Sequence, residues 1–216
     1  MALEALIFDY GMVLSTAQEP RALAALRGIT RLDDAAFDEH YWRYRHRYDL
    51  GEMNGAGFWQ AISEDAQLEL TPAEIERLIE NDVLMWSTLN ETMLRWVQAV
   101  QDAGFRTAIL SNMGEELLKY MRQEFGWLGQ FDHHTWSCEL RIAKPDPEIY
   151  RYTCQKLGVL PANALFLDDK PENIRAAEVV GMQAILFTTA EALQTELKRR
   201  NLLGVLPSPL DLAHQV

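Results

Sequence analysis

Between Asn90 and Arg200 the chain alternates between amphipathic helical segments and short apolar runs, a pattern that admits few folds. "NETMLRWVQAVQDAG" reads as a helix capped by Asn90 and stopped by Gly104, "FRTAIL" as a strand, and "GEELLKYMRQEFG" as a helix. "DPEIYRYTCQKLG", "NALFLDD", "PENIRAAEVVG", "MQAILF" and "TAEALQTELKRR" continue as helix, strand, helix, strand, helix. Strands separated by helices become parallel neighbours, so the expected fold is α/β: one parallel sheet with helices on both faces. A further strand, "ALIFD" at residues 5–9, is apolar for four residues before it meets Asp9 and is bounded by Gly11, the pattern of a strand buried on both faces.

Between that first strand and the rest, the character changes. Helical periodicity runs near residues 18–27, 33–49, 54–66 and 71–86 with no convincing strand among them. The last segment opens on "TPAE", with Thr71 as N-cap, Pro72 at the first helical position and Glu74 reaching back. An all-helical insert is expected there, and an irregular tail after Leu203, where Pro207 and Pro209 fall.

In such a sheet ligands bind beyond the carboxyl ends of the strands, near the point where strand order reverses. The strand ends deliver Asp9, then Ser111 and Asn112, then Asp168 and Asp169, and Lys144 stands before the helix that opens "PDPEIY". Three clustered carboxylates keep their protons unless a cation neutralises them, and one lysine is not enough. A hard divalent ion such as Mg²⁺, which takes carboxylate, water and phosphate oxygens, satisfies the remainder. Ser111 and Asn112 offer a hydroxyl, an amide and backbone N–H groups to an anion. Asp9 is then placed to attack phosphorus and form an aspartyl-phosphate, dividing a hard hydrolysis into two easier steps.

Composition narrows the partners. The 216 residues carry 20 Lys and Arg against 32 Asp and Glu, a formal charge of −12. That excess excludes the cationic surface that nucleic acid or an anionic membrane requires, leaving small molecules or proteins. No apolar run reaches the length of a membrane span, and the first residues do not read as a basic segment leading an apolar core, so a cytoplasmic protein is expected. Cys138 and Cys154 have no metal-site or disulfide spacing and read as reduced thiols in or near the core.

The segments "FDYGMVL", "LSN", "KPDPEIY" and "FLDDKPEN" occur in the order of four motifs, and through them the chain resembles the haloacid dehalogenase-like hydrolase superfamily from Met1 to about Phe187. Gly181–Met182 after the acidic helix also resembles it. The resemblance implies a Rossmann-like core of about five parallel strands from residues 1–14 and 88–216, with a helical cap of residues 15–87 that closes over the site and selects the substrate. It implies Asp9 as nucleophile, Lys144 as a catalytic and phosphate-binding cation, and Ser111 and Asn112 as phosphate ligands. It also implies Mg²⁺ on Asp9, Asp169 and the Gly11 carbonyl, with Asp168 and Asn173 supporting that arrangement from behind. The partner is then a small phosphorylated molecule, and the protein a monomer or homodimer.

One position departs from the pattern. Phosphatases of this superfamily usually carry a second aspartate two residues after the nucleophile, which protonates the leaving oxygen; here that position is Gly11. Acid–base catalysis of this kind is worth ~10²–10⁴-fold. The variant "DxGxV" resembles a subgroup of bacterial sugar-phosphate phosphatases, including ones acting on glucose 1-phosphate, whose anomeric oxygen leaves more easily than a simple alkoxide. Gly11 itself reads as a turn residue with φ > 0.

In the insert, Arg43, Arg45 and Arg47 are spaced by two on a helix and point in different directions, so most of them form a solvated face. "LGEMNG" around Gly51 and Glu52 is a candidate to dip into the site. Trp42, Trp59, Trp86 and Trp96 fall at helical spacings and read as core, and His133 and His134 as surface or strand-end residues. Three functions remain: a Mg²⁺-dependent phosphatase favouring sugar phosphates, a 2-haloacid dehalogenase whose aspartate attacks carbon without a metal, and a non-catalytic binding protein, for which only Gly11 speaks.

Overall fold

The computed structural model describes residues 2–210. Five parallel strands, β1 (Ala5–Phe8), β2 (Arg106–Ser111), β3 (His133–Trp136), β4 (Ala164–Asp168) and β5 (Gln183–Leu186), form one sheet in the order β3-β2-β1-β4-β5. β1 is central because it is apolar on both sides. Leu6 and Phe8 pack towards α5 (Glu91–Asp102), α6 (Glu115–Glu124) and α10 (Ala190–Arg199), whereas Ala5 and Ile7 face α8 (Pro147–Leu157) and α9 (Pro171–Val180). The chain builds outward from β1 to β3, then returns to place β4 on the other flank of β1. The carboxyl ends of β1, β2 and β4 therefore meet at the reversal.

Residue patterns alone mark four of these strands, and β3 is the fifth, in keeping with the five that the resemblance implies. Its residues His-His-Thr-Trp show no apolar run, yet its backbone completes the sheet edge beside β2, and His134 stacks on Trp136 with centroids 5.5 Å apart. An edge strand makes only one ladder and needs less apolar surface than a central one.

The insert consists of α1 (Pro20–Thr30), α2 (Asp34–Asp49), α3 (Gly55–Asp65) and α4 (Pro72–Met85) around a separate cluster that includes Leu26, Tyr41, Phe58, Trp59 and Leu78. α4 begins as its sequence dictates: the Glu74 N–H donates to Thr71 Oγ1 while the Glu74 carboxylate accepts from the Thr71 N–H. α1 starts at Pro20, later than periodicity suggests, because Glu19 caps it through the Ala22 N–H. The two connections to the sheet run side by side. Ser15 and Leu89 form an antiparallel bridge, the Thr16 N–H donates to the Thr88 carbonyl, and the Asn90 N–H donates to that of Leu14.

Residues 204–210 are irregular but pinned. Leu206 is buried in the core, and the Trp96 indole N–H donates to the Pro207 carbonyl at 2.8 Å. The expected irregular tail also includes residues 211–216, which lie outside the described residues. Cys138 and Cys154 are buried and unbridged, and burial pushes both thiols up to about 11. No helix among the described residues is long and apolar enough to cross a membrane.

Candidate active site

β1 runs out at Phe8, and the chain turns through one wide loop, Tyr10–Leu14, closed by the Ser15 N–H on the Tyr10 carbonyl at 2.8 Å. Asp9 stands at the corner in extended conformation. Its Oδ1 accepts from its neighbour's N–H at 2.7 Å and pairs with Lys144 Nζ at 2.8 Å, so neither contact occupies Oδ2. Lys144 is almost wholly buried and also binds Asp168 Oδ2 at 2.6 Å. A buried ammonium between two carboxylates is fixed in place, and two further bonds fix its backbone: Asn112 Nδ2 donates to the Lys144 carbonyl and Asn112 Oδ1 accepts its N–H, each at 2.8 Å. The side-chain amide of Asn112, expected to face an anion, is thereby occupied. Asn112 lines the site as a residue that positions Lys144, and Ser111 lines it at the end of β2.

Asp168 at the end of β4 is fully buried and fully bonded. Besides Lys144 it accepts from the Lys170 N–H at 2.8 Å and from Asn173 Nδ2 at 2.9 and 3.0 Å. Asn173, in the first turn of α9, is held in turn by its backbone: Tyr150 Oη donates to its carbonyl at 3.1 Å. Asp169 differs from its neighbour. It is half-buried, and among the described residues no other side chain hydrogen-bonds or pairs with its carboxylate.

Electrostatics sort these groups. Burial pushes the Asp9 carboxyl up, to about 7, with Asp168 adding to the rise and Lys144 opposing it. Burial and Asp168 also raise Asp169. For Asp168 burial acts upward, but Lys144 and the donors of Lys170 and Asn173 outweigh it and hold it low. Burial works against the Lys144 charge, and Asp168 and Asp9 outweigh that too, so its ammonium is held high. Asp9, Asp168 and Asp169 each bring a carboxylate oxygen within 4.8 Å of the others, with one cation among three acids. This donor set fits a hard divalent cation: oxygen ligands, excess negative charge, one carboxylate with no side-chain partner among the described residues, and another whose Oδ2 is bound by neither the Tyr10 N–H nor Lys144.

Gly11 contradicts its expected conformation. It has φ −60°, ψ 132°, which any residue adopts, and a Cβ there meets nothing within 4 Å. The left-handed residue of the turn is Met12, at φ 61°, a cost of about 1–3 kcal/mol for a non-glycine residue.

Asp9, Ser111, Lys144 and Asp169 form the floor of a cavity of about 640 Å³, with Asp168 buried behind them, and its roof comes from the insert: Trp42, Arg45, His46, Asp49 and Trp86. Two expectations about the insert need correction. Trp59 and Trp96 are core, but Trp42 is 47% exposed and, with the half-buried Trp86, borders the cavity. The Gly51–Glu52 loop does not line it. Instead Gly51 lies so close to the Cys138 backbone that a Cβ would meet its carbonyl oxygen at 2.5 Å, and Ser137 Oγ donates to the Asp49 carbonyl at 2.5 Å. The loop docks the insert on the sheet domain. Arg43 and Arg47 pair with surface acids as a solvated face should. Arg45 is buried, pairing with Asp49 at 2.8 Å and Asp82 at 3.2 Å beneath the rings of Tyr41, Tyr48 and Trp86. A signal for the roof was present in the spacing: Trp42, His46 and Asp49 fall at i, i+4 and i+7, one face of α2.

Comparison with known proteins shows the family to which the chain belongs. The family model described as haloacid dehalogenase-like hydrolase matches residues 5–181. The chain is 32% identical over 111 residues to acyl-CoA dehydrogenase family member 10 of Mus musculus, covering 49% of this chain and 10% of that protein. It is 30% identical over 118 residues to bifunctional epoxide hydrolase 2 of Rattus norvegicus, covering 52% and 21%. It is 32% identical over 87 residues to (S)-2-haloacid dehalogenase 1 of a Pseudomonas species, covering 40% and 38%. The chain thus spans well under half the length of these relatives. Among solved structures, the HAD family enzyme bt-2542 of Bacteroides thetaiotaomicron superposes with a TM-score of 0.74 at 19% identity, covering 87% of this chain and 95% of that one. That enzyme has also been crystallised with magnesium and inorganic phosphate. With the family match extending over most of its length, the chain belongs to the haloacid dehalogenase-like hydrolases.

Proposed function

We propose that the protein is a Mg²⁺-dependent phosphatase that hydrolyses a small phosphomonoester, a sugar phosphate by preference, through an aspartyl-phosphate on Asp9. The observation that carries this reading is the charge imbalance at the sheet edge beneath the cavity: three carboxylates, one ammonium, and Asp169 with no side-chain partner among the described residues. Asp9, Asp169 and the Gly11 carbonyl would hold the ion. When bound, Mg²⁺ supplies a Lewis acid for a phosphoryl oxygen.

The chain's own residues do the rest. Asp9 attacks through Oδ2, because Oδ1 is tied to the Tyr10 N–H and Lys144. Lys144 balances negative charge on the transferring group, Asp168 keeps the ammonium aimed, and Asn112 prevents its backbone from shifting. Ser111 provides a hydroxyl at the end of β2. No side chain at position 11 protonates the leaving oxygen, so the reading favours esters whose leaving group departs without help, anomeric phosphates among them.

The sequence relationship to (S)-2-haloacid dehalogenase 1 supports a second reading, carbon–halogen hydrolysis by Asp9. The unpaired acid opposes it, since an incoming carboxylate substrate would meet like charge. A panel of phosphorylated metabolites and 2-haloacids, assayed with Mg²⁺ and then with EDTA, separates the two. Phosphate release abolished by EDTA is the expected result; halide release that survives EDTA would replace it.

A further inference from the structure

The turn after the nucleophile places its two unusual residues in reverse order. Gly11 sits at φ −60°, ψ 132°, with open space where a Cβ would stand. Met12 sits at φ 61°, ψ −6°, the conformation glycine adopts without cost. Backbone demands explain neither choice.

An explanation lies on the cavity side. Met12 is 39% exposed and Trp42 47%, and both of these large apolar side chains border the same cavity. Trp86 borders it too, with its indole packed edge-on to that of Trp42 at 6.4 Å and 73°. Trp86 is held from below, where its carbonyl accepts from Tyr10 Oη at 2.8 Å and its indole N–H donates to Tyr41 Oη at 3.1 Å. Lys170 Nζ lies 6.0 Å from the Trp42 ring, a cation–aromatic contact that restrains the exposed indole. Two packed indoles and, bordering the same cavity, a flexible, polarisable thioether offer apolar surface suited to a flat ring.

We propose that Met12 is a specificity-determining residue, held in the left-handed conformation so that its thioether, with Trp42 and Trp86, forms an apolar wall selecting phosphate monoesters with a ring-shaped leaving group over open-chain ones. The proposal rests on the phosphatase reading and deepens it: the floor handles phosphate, and the wall chooses what the phosphate is attached to. An aryl ring and the apolar face of a pyranose present the same chemistry to the indoles.

Non-hydrolysable phosphonates test it without requiring turnover. With Mg²⁺ present, calorimetry on the full chain should show phenylphosphonate and cyclohexylphosphonate each binding roughly tenfold more tightly than methylphosphonate, the scale of burying one ring face. In Met12→Gly and in Trp42→Ala that ratio should narrow to about twofold. Met12→Gly should melt no lower than the parent, because glycine relaxes the turn. If only the phenyl compound gains, the wall serves aryl esters alone and the pyranose arm is overturned. Methylphosphonate binding with no ring advantage would overturn the wall and leave the phosphatase reading standing. Failure of all three to bind would remove both. A lower melting temperature of Met12→Gly with an unchanged ratio would make Met12 a packing residue and overturn the proposal.

Discussion

Two buried charge clusters sit within this protein, and their chemistry diverges. In the insert, Arg45 lies between Asp49 and Asp82, Tyr41 Oη donates to Asp82 at 2.6 Å, and aromatic rings cover the guanidinium. At the sheet edge, Lys144 lies between Asp9 and Asp168, and Asp169 is left over. Burial raises Asp49 and Asp82 much as it raises Asp9 and Asp169. A shifted carboxyl therefore does not distinguish the reacting site from a structural one. Two things set the sheet-edge cluster apart: a carboxylate with no side-chain partner among the described residues, and position at the carboxyl ends of the central strands.

The largest expected effect is at the open cluster. Asp9→Asn should lower phosphate release by roughly 10⁴-fold or more, since the amide keeps the shape but is no nucleophile, while the melting temperature stays near the parent's. Activity within tenfold of the parent would remove Asp9 from the mechanism.

The next comparison runs across the clusters. Asp168→Ala strips Lys144 of one of its two partners, and Arg45→Met leaves two acids unpaired; each should cost about 3–5 kcal/mol in urea unfolding. Asp169→Ala removes a carboxylate that repels its neighbours and should cost no stability, yet it should raise the Mg²⁺ concentration needed for turnover steeply. Equal and mild effects of Asp168→Ala and Asp169→Ala on the Mg²⁺ requirement would reduce both acids to helix-capping groups.

The smallest effect lies at Gly11. Without an acid there, matched aryl phosphates should be hydrolysed ~10²-fold faster than alkyl ones, the size of a missing proton donor. Because a Cβ at Gly11 meets nothing and its backbone suits any residue, Gly11→Asp should fold with less than about 1 kcal/mol of change and narrow that gap. Similar aryl and alkyl rates with chemistry limiting would show that another group, His46 or Glu172 at the cavity wall, provides the proton.

The sheet was legible wherever a strand carries a run of apolar residues, β5 at one edge included. "ALIFD", "FRTAIL" and "NALFLDD" are buried on both faces, and burial writes itself as unbroken apolar residues. β3, at the other edge, was not legible, because His133 and His134 leave it without an apolar run. At the site, residue types at strand ends were enough to gather Asp9, Ser111, Lys144, Asp168 and Asp169. They could not show that the Asn112 amide is engaged by the Lys144 backbone, which is a contact between segments 32 positions apart. Nor could they say which neighbour in "GM" takes the left-handed conformation. Glycine is the residue that tolerates it best, and the chain put it one position away. In the insert, tryptophan spacing looks the same whether a ring faces core or cavity. Trp59 and Trp42 differ only in what stands opposite them.

The paired crossing of Ser15 and Leu89 has a consequence for how such a protein can change. Residues facing each other across an antiparallel bridge are only about 5 Å apart, so the chain departs from the sheet and rejoins it almost at one point. The sheet's hydrogen bonding does not register how much polypeptide lies between, and a segment of another length or shape could be spliced in there without altering any strand register. The segment that roofs the cavity is thus joined covalently to the sheet at one place, apart from the strand ends that carry Asp9, Ser111 and Asp168. Met12 lies on the sheet side of that join yet borders the cavity that the insert roofs.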